Sequence, residues 1–553
     1  MTVRTPGRSR MRARLLAILV LCVCAFLGGS GIPASADTFV PISGSGSTWS
    51  QNAVDQWRRN VAQFGLQVNY AGVGSSQGRQ AFANRTVDFA VSEIPYGLTD
   101  TGTGVPDPPP SRKYAYMPIV AGGTSFMYNL KIGGKRVTNL RLSGETVTKI
   151  FTGVITRWND PAIAADNPAL ALPAREVRPV VRSDGSGTTA QFTLWMSKQY
   201  PSLWNDYCRR VGRATPCGQT SSYPAAGFKA LSGSLGVSQA VADRTGEGLI
   251  TYVEVSYALN LGFPVAKVLN ASGYYIEPTA QSVAVALLKA RINQDSSSTA
   301  YLTQILDAVY RDRDHRTYPL SSYSYMILPT ALEAPINADK GRTLGRFAYY
   351  FLCEGQRQVD RLGYSPLPIN LVRAGLKQVK RIPGVVPESV NISQCNNPTF
   401  SPSGKNLLAL NAPYPPACDR RGSTQCMTGT GGAREATPVS RVVGGGTSGT
   451  GGGSGTGGAT GSTGQGGGAG NTPGSASPGS TPSGAAAIDP DTGLPVGTGT
   501  NTALGEQPAS LPVEVTSFDS GVRTALICIA IALLVGLVVG PPVLSRLLAR
   551  RQM

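Results

Sequence analysis

The sequence is poor in the residues that most hydrolytic and metal-dependent enzymes use. It contains one histidine, His315, which lies among arginines and aspartates in a segment typical of an exposed polar loop. It contains no Cys-x-x-Cys pair, so zinc binding is only a weak alternative role for its cysteines. We also find no nucleophile–base pair. These absences argue against triad and metal-dependent hydrolysis, and they predict a protein that is not an enzyme and needs no metal or cofactor.

Long runs of lysine and arginine interleaved with aromatic residues are also missing from the body of the chain. The formal net charge is nevertheless +18. A basic body can bind nucleic acid, be attracted to an acidic cell surface, or recruit a small anion. Because the basic and aromatic runs are missing, nucleic acid is the least favoured of these three partners.

Both ends of the chain carry membrane-targeting patterns. Residues 1–36 are typical of a signal peptide, with several arginines, an apolar run at 15–27 and a small-residue cleavage site at 34–36. Residues 523–546 contain an apolar run long enough to span a bilayer, and a basic tail follows at 547–553. With the signal cleaved, the positive-inside rule predicts a single-pass protein of the cell membrane, with an extracellular body and a cytoplasmic C-terminus.

The tract that precedes the apolar run has too few apolar residues to form a core. Residues 428–522 are rich in glycine, serine, threonine and proline. Such a composition predicts a disordered, flexible linker, and its Gly-rich part at 428–512 would span roughly 50 Å root-mean-square as a random coil. The body could therefore leave the membrane surface and return to a partner there.

Six cysteines fall in the exported body, an even number that fits an oxidising compartment. Two pairs are close enough in sequence to close small loops, which leaves the remaining two for each other. The preferred pairing is Cys208–Cys217, Cys418–Cys426 and Cys353–Cys395. Six cysteines allow fifteen connectivities, so the other pairings stay open. Three of the six lie in residues 383–427, which we expect to be a disulfide-pinned extension of the body.

Three small-residue turns follow predicted strands, at 43–49, 72–78 and 183–188, and helical patterns come after them. The first N–H groups of a helix lack intrahelical partners and carry partial positive charge, so such turns can bind anions. A single turn of this kind is more often an ordinary helix cap. Arg182 adds a charged donor, and Glu93 follows a strand at 87–91. The alternation of strands and helices predicts an α/β domain with a pocket for an oxyanion at its strand ends.

The ordered motifs resemble those of the extracytoplasmic phosphate-binding proteins of the PstS type, which deliver phosphate to ABC importers. The resemblance covers about 40–382 and rests on several motifs. They are GSGSTW at 44–49, GVGSS at 72–76, VDF at 87–89, IFTG at 150–153, WND at 158–160, RSDGSGT at 182–188, YVE at 252–254, LGY at 362–364 and LP at 367–368. The resemblance implies a type II periplasmic-binding-protein fold with crossing hinge strands.

In that fold, two α/β lobes make up residues 37–382. Lobe 1 would comprise about 37–118 and 325–382, and lobe 2 about 119–324. The first crossing strand would lie within 111–129, and a strand at 325–328 would return the chain to lobe 1. Apolar stripes at 281–292 and 301–310 predict two packed helices in lobe 2.

The resemblance also implies the ligand, its binding residues and the partners. The ligand would be inorganic phosphate, the partners would be ABC permease subunits in the membrane, and the protein would be a monomer. The implied binding residues are Thr48, Trp49, Ser75, Glu93, Arg182, Ser186, Gly187 and Thr188, with Ser47 and Asp184 in support. Asp184 is expected to orient Arg182 rather than to touch the anion, because a carboxylate there would repel it.

Two of these residues depart from the family pattern. Glu93 stands where an aspartate is usual, and Trp49 stands where a smaller aromatic is usual. A carboxylate in an anion site can accept a proton that the ligand carries, so it admits phosphate and repels sulfate. Glutamate is one methylene longer, so the pocket must adjust. Glu93 could instead be a solvated carboxylate at a strand end.

Three other functions remain open on the sequence alone. The same fold could bind another oxyanion. A membrane-tethered surface sensor or adhesion protein could use it without feeding a transporter. A phosphate-ester hydrolase is disfavoured by the missing catalytic residues.

Overall fold

The computed structural model describes residues 39–98, 104, 106–392, 395–401 and 403–437. The predicted signal peptide, most of the predicted linker, the apolar run at 523–546 and the tail at 547–553 lie outside this part of the chain. Within the part described, no helix is both long and apolar enough to cross a bilayer.

Lobe 1 begins with a strand–helix alternation, as the sequence predicts. Its elements are β1 (Ile42–Gly46), α1 (Gln51–Ala62), β2 (Val68–Gly72), α2 (Ser75–Ala83) and β3 (Phe89–Ser92). β1 pairs in parallel with both β2 and β3. The helix α1 forms because Val54, Trp57 and Val61 recur at helical spacing, and all three are buried against the sheet.

The chain crosses to lobe 2 along β4 (Tyr114–Tyr128) and returns along β15 (Ser321–Pro329). Between these crossings lie ten strands: β5 (Lys131–Ile132), β6 (Lys135–Arg136), β7 (Arg141–Leu142), β8 (Arg178–Arg182), β9 (Lys229–Leu231), β10 (Leu249–Glu254), β11 (Lys267–Leu269), β12 (Tyr275–Ile276), β13 (Arg291–Ile292) and β14 (Gln304–Ile305). The helices of lobe 2 are α3 (Gly144–Phe151), α4 (Pro161–Asp166), α5 (Gly187–Gln199), α6 (Pro201–Arg210), α7 (Gly233–Ala242), α8 (Val255–Asn260), α9 (Ala280–Leu287) and α10 (Asp307–Tyr310).

After β15 the chain adds three more helices. They are α11 (Ala338–Leu352), α12 (Ile369–Val379) and α13 (Leu407–Leu410), with 3₁₀ turns at Glu354–Gln358, Asp360–Leu362 and Ala417–Asp419. The helices α11 and α12 complete lobe 1. Trp57 of α1 stacks on Phe351 of α11 at 5.0 Å between ring centroids, which ties the two ends of this lobe together.

One 8-stranded sheet runs through both lobes in the order β2-β1-β3-β15-β4-β10-β8-β9. The two crossing strands, β4 and β15, are antiparallel neighbours at its centre, and the parallel sets of the two lobes lie on either side. Their register shifts between Ser324 and Tyr325. A smaller sheet in lobe 2 has the order β12-β11-β7. The predicted two-lobe α/β fold with crossing strands is confirmed.

One predicted helix is shorter than its apolar stripe suggests. The stripe at 281–292 predicts a single helix, but α9 ends at Leu287 and residues 291–292 form β13, which pairs with β14. The stripe at 301–310 likewise yields β14 and a single turn, α10. Apolar residues that pack on a helix and those that pack on a short hairpin look alike over so few positions.

Three disulfides are present in the structure. They are Cys208–Cys217, Cys353–Cys395 and Cys418–Cys426. This is the pairing that the sequence spacing favoured. All three lie within or join to the folded body, as expected for an exported protein.

Residues 383–437, which we call the strap, are fixed first to lobe 1. The Cys353–Cys395 disulfide joins the strap to the residue that follows α11. Asn397 Nδ2 and Thr399 Oγ1 each donate a hydrogen bond to the Leu367 carbonyl oxygen at 2.9 Å. Leu367 lies immediately before α12, so these contacts belong to lobe 1.

The strap is then fixed to lobe 2. Its helix α13 packs against α9 through small apolar side chains. Lys267 Nζ lies 2.6 Å from Asp419 Oδ2, and both side chains are largely buried. Arg141 Nη1 donates to the carbonyl oxygens of Cys418 and Thr424 at 3.0 and 2.9 Å. The described chain therefore crosses between the lobes three times: along β4, along β15 and along the strap.

The strap continues into residues that the composition assigned to the flexible linker. Residues 428–437 pack on lobe 2, where Gly431 N donates to Glu277 Oε1 at 2.8 Å and the Thr437 hydroxyl bonds to Asn139. Hydrogen bonds between polar groups, rather than buried apolar side chains, hold this segment to lobe 2. Composition alone could not reveal those contacts, and the folded body extends further than the expected boundary.

Candidate functional site

The three small-residue turns meet in the cleft between the lobes. The turn after β1 and the start of α2 come from lobe 1, and the turn between β8 and α5 comes from lobe 2. They touch directly: Ser76 N donates to the Gly185 carbonyl oxygen at 3.0 Å, and Gly187 N donates to Ser75 Oγ at 3.2 Å. The cleft thus collects the strand ends at which α/β proteins bind ligands.

Glu93 is buried at the centre of this cleft, with 1% of its surface exposed. Ser47 Oγ donates to its Oε1 at 2.6 Å, and Ser75 Oγ donates to its Oε2 at 2.8 Å. Ser324 Oγ, from the crossing strand β15, also donates to Oε1. Burial raises the pKa of Glu93, and the three serine hydroxyls offset part of that rise. Its burial rules out a solvated carboxylate at a strand end.

Gly187 makes room for the longer acidic side chain. A Cβ atom at this position would lie 1.8 Å from Glu93 Oε2 and 2.5 Å from Ser75 Oγ. The carboxylate therefore reaches the first residue of α5, in the opposite lobe. A residue with any side chain at position 187 would collide with it.

Arg182 ends β8 and is held by Asp184. Arg182 Nε donates to Asp184 Oδ1 at 2.7 Å, and Nη2 donates to Oδ2. Burial alone would raise the pKa of Asp184, but the hydrogen bonds and charge of Arg182 outweigh it, so this pKa lies below its usual value. Gly233 N also donates to Asp184 at 2.9 Å. The guanidinium is 2% exposed and has a fixed direction.

Thr48 joins Arg182 through a residue of lobe 2. Thr48 Oγ1 lies 2.9 Å from Ser234 Oγ and accepts from Ser234 N at 3.1 Å. Arg182 Nη1 donates to the same Ser234 Oγ at 3.3 Å. The Tyr257 hydroxyl donates to the Thr48 carbonyl oxygen at 2.5 Å. These contacts bring the lobe 1 threonine and the lobe 2 arginine together.

Trp49 packs beneath the first turn. Its backbone N–H donates to Ser47 Oγ at 3.0 Å, and its ring lies edge-on to Tyr364 with centroids 5.7 Å apart. A Cβ atom at Gly122, on β4, would lie 2.8 Å from the indole ring. Gly122 therefore gives the space that the large aromatic needs in place of a smaller one.

The start of α5 supplies the remaining expected residues. Ser186 is the N-cap of this helix, and its Oγ accepts from Thr189 N at 3.1 Å, which leaves its hydroxyl hydrogen to donate. Thr188 is 1% exposed, yet its Oγ1 has no hydrogen-bond partner in the described part of the chain. A buried hydroxyl without a partner is unfavourable by about 1–3 kcal/mol. It marks a position where a polar ligand atom is expected.

Three residues of the cleft were not expected from the sequence. Ser234 is the second residue of α7, in a Ser-Gly-Ser segment at 232–234 that follows β9. This segment has the same pattern as the other turns and could have been recognised. Ser324 lies inside a strand, and Gln191 lies inside α5, where its Nε2 donates to the Glu93 carbonyl oxygen at 2.8 Å. No local pattern singles out these two.

The chemistry of the cleft is that of an anion-binding site. Hydroxyl and backbone donors, a helix N-terminus and a fixed guanidinium surround one buried acceptor. In the described residues, no group of three or more histidine, cysteine, aspartate or glutamate side chains is placed to hold a metal ion.

Comparisons with known proteins identify the family of the chain. The family described as the PBP superfamily domain matches residues 31–354. The chain is 31% identical over 350 residues to the phosphate-binding protein PstS of Xylella fastidiosa, covering 62% of this chain and 86% of that protein. It is 27% identical over 332 residues to the PstS of Haemophilus influenzae, covering 60% of this chain and 90% of that protein.

A solved phosphate-binding protein from Stenotrophomonas maltophilia also aligns with this structure. It is 18% identical, the TM-score is 0.45, and the alignment covers 66% of this chain and 99% of that one. Two findings show the family of the chain: the family match covers more than half of it, and one relative is 31% identical to it. The chain belongs to the PBP superfamily and, within it, to the family of PstS-type phosphate-binding proteins.

Proposed function

We propose that this protein captures inorganic phosphate outside the cytoplasm and presents it to the permease of an ABC importer. The observation that carries the proposal is the buried Glu93 carboxylate, which reaches from lobe 1 to the first turn of α5, in the cleft that also contains the fixed Arg182. The PstS relatives are named as phosphate-binding proteins, which supports the ligand and a non-catalytic role.

Both lobes would contribute to binding. Thr48, the Trp49 N–H and Ser75 would donate from lobe 1, and Arg182, Ser186, Gly187 and Thr188 from lobe 2. The Trp49 N–H, Ser75 and Gly187 would exchange their present hydrogen bonds within the protein for bonds to the ligand. Glu93 would accept the proton that hydrogen phosphate carries. Sulfate carries no such proton at neutral pH, so a charged Glu93 would repel it. This combination of many donors with one acceptor favours a protonated oxyanion.

A second candidate ligand is an oxyanion without a proton. It is favoured by the raised pKa of Glu93, because a neutral carboxyl group would donate a hydrogen bond to the ligand instead of accepting one. Phosphate selectivity therefore depends on Glu93 being ionised in the folded protein at the working pH.

We also propose that the protein remains attached to the membrane through the apolar run at 523–546. The body would then be extracellular, and the linker beyond residue 437 would let it reach its permease. A tethered sensor that does not feed a transporter is the alternative. Deletion of the gene separates the two, since loss of phosphate import is expected only if the protein serves a permease.

Calorimetric titration of the full-length protein with phosphate and then sulfate at neutral pH tests the ligand. We expect phosphate to bind and sulfate to be excluded. Arg182→Ala should abolish phosphate binding because it removes the fixed cation of the site. Arg209→Ala is the matched control, since that arginine is exposed on α6 and pairs only with Asp206 among the described contacts. Absence of phosphate binding by the unmodified protein would refute the proposed ligand.

A further inference from the structure

The hydrogen bonds around Glu93 are unequal on its two oxygens. Oε1 accepts from both Ser47 and Ser324, whereas Oε2 accepts, among the described residues, from Ser75 alone. An ionised carboxylate has about four acceptor positions on two oxygens. Two donors therefore fill Oε1, while Oε2 keeps one acceptor position, on the side that faces Gly187 and the first turn of α5.

We propose that Ser324 is a positioning residue for ligand selection: with Ser47 it holds Glu93 Oε1, so that Oε2 stays an ionised acceptor turned towards the ligand. The inference rests on the proposed function, because it concerns how the same site distinguishes a protonated from an unprotonated oxyanion. It assigns a role to a crossing-strand residue that lies outside the turns of the site.

The serine hydroxyls matter for the charge state of Glu93 because its surroundings are buried. Burial favours the neutral carboxyl group, and in the described residues Glu93 forms no salt bridge that would oppose it. Tyr70 on β2 and Tyr325 on β15 interact electrostatically with Glu93, and burial raises the pKa of both, so they remain neutral. Hydrogen bonds from the three serines, together with a weaker one from the Glu93 backbone, therefore favour the ionised form.

Ser324 also links the acceptor to the crossing strands. It lies on β15 where the register with β4 shifts, and Tyr325, its neighbour, pairs with Ser92 of β3 immediately before Glu93. The hydroxyl is thus delivered by a strand that belongs to both lobes. Its position is fixed by the sheet rather than by a mobile turn.

Substitution of Ser324 by alanine tests the inference. Loss of a hydroxyl donor raises the pKa of Glu93, so more of the site is neutral at pH 7. A neutral Glu93 no longer repels sulfate and no longer accepts the proton of hydrogen phosphate. We expect the ratio of phosphate to sulfate affinity to fall about tenfold, the size of one charge-assisted hydrogen bond. The ratio should recover as the pH is raised, because Glu93 then ionises.

Ser322→Ala is the matched control. Ser322 lies two residues earlier on β15 and is also buried, but its hydroxyl has no hydrogen-bond partner. This variant should keep the ratio of the unmodified protein at every pH. Ser324→Thr retains a hydroxyl and should restore most of the ratio. If Ser324→Ala does not fold, Ser47→Ala removes the other donor to Oε1 and should shift the ratio in the same direction.

The competing outcomes are distinguishable by titration calorimetry and competition assays of full-length protein. A drop in both affinities by the same factor at all pH values would overturn the inference and reduce Ser324 to a structural role. An unchanged ratio in a folded Ser324→Ala protein would overturn it as well. Failure of the unmodified protein to bind phosphate would instead refute the proposed function.

Discussion

At the scale of single residues, the site depends on a steric match between Glu93 and Gly187. The extra methylene of glutamate brings Oε2 so close to Gly187 that a Cβ atom there would lie 1.8 Å away. Gly187 therefore does two things: it exposes a backbone N–H at the start of a helix, and it leaves space for an acid that is longer than the usual aspartate. The two positions are therefore expected to act together when they are substituted.

Gly187→Ala should displace the Glu93 carboxylate and weaken phosphate binding by at least about a hundredfold, because several bonds of the site depend on its position. Adding Glu93→Asp shortens the acid and should restore part of the affinity. Isothermal titration of the single and double variants measures this coupling. Gly236→Ala is the control, since a Cβ there meets only Leu231 at 3.7 Å. If the losses of phosphate affinity caused by the two substitutions simply add in the double variant, the steric coupling between Glu93 and Gly187 is contradicted.

A second buried carboxyl group lies beside the crossing strands. Glu254 ends β10, and its Oε2 accepts from Ser256 N at 2.8 Å, while Oε1 approaches Gly122 of β4. Burial raises the pKa of Glu254 from 4.5 to about 8, against the opposing hydrogen bond from Ser256. The folded protein therefore holds this proton more tightly than the unfolded chain.

This difference gives a signed prediction for stability. The contribution of the neutral Glu254 to the free energy of unfolding is fully present below pH 4.5 and is lost as the pH rises to about 8. Glu254→Gln should remove that loss and stabilise the protein at pH 8 by an amount on the order of a few kcal/mol. Thermal unfolding at pH 5 and pH 8 measures it, with Glu145→Gln as the control because that carboxyl group is exposed at the start of α3. Equal pH dependence in both variants would contradict it.

Much of the site could be predicted residue by residue, and its omissions have a physical cause. Thr48, Ser75 and Arg182 lie in local patterns of strand, turn and helix, which the sequence displays directly. Ser324 reaches Glu93 only because β15 lies beside β3 in the sheet. A contact across 231 positions leaves no local pattern.

At the scale of secondary-structure elements, the first turn of α5 contains one residue that serves ligand binding and one that serves stability. Thr188 and Thr189 are consecutive and both buried, but their hydroxyls differ. Thr189 Oγ1 lies 2.8 Å from the Tyr252 hydroxyl, whereas Thr188 Oγ1 has no hydrogen-bond partner among the residues that the structure describes. One threonine therefore supports the helix, and the other is available to a ligand.

Valine at each position tests this division. Thr188→Val should leave stability unchanged or slightly higher and lower phosphate affinity about tenfold, because the lost hydroxyl served only the ligand. Thr189→Val should reduce stability by about 1 kcal/mol, because it leaves the Tyr252 hydroxyl with one partner fewer. Chemical denaturation and titration of both variants give the comparison. A stability loss in Thr188→Val, with affinity retained, would assign that hydroxyl to the fold.

Element boundaries were predicted well where the local signal was strong. The buried run at Val180 and Val181 correctly marks β8, since a parallel strand covered on both faces is apolar at successive positions. The prediction of one helix at 281–292 was wrong because the apolar residues there belong partly to a helix and partly to a short hairpin. The segment 428–437 misled because hydrogen bonds, rather than apolar burial, hold it to lobe 2.

At the scale of the whole molecule, the strap changes how the two lobes can move. Two-lobe binding proteins open by rotation about their crossing strands. Here the strap is fixed to lobe 1 by the Cys353–Cys395 disulfide and to lobe 2 by α13 and the Lys267–Asp419 ion pair. A third connection restricts rotation, so we expect it to slow the release of ligand from the closed cleft.

Cutting the strap inside the intact protein tests this expectation. A site-specific protease sequence inserted between Ser403 and Gly404 lies in the exposed stretch between the two anchors. No disulfide of the described residues spans this cut, so the packing of α13 and the Lys267–Asp419 ion pair retain the second fragment on lobe 2. Cleavage should raise the phosphate dissociation rate on the order of tenfold, with a smaller effect on association, because affinity changes of this kind fall mainly on release. Stopped-flow measurements before and after cleavage give the two rates on the same sample.

The control carries the same insertion between Gly133 and Gly134, in the exposed turn from β5 to β6, where cutting leaves all three crossings intact. Equal release rates before and after cleavage of the strap would show that β4 and β15 alone govern opening, and that the strap only secures the end of the folded body.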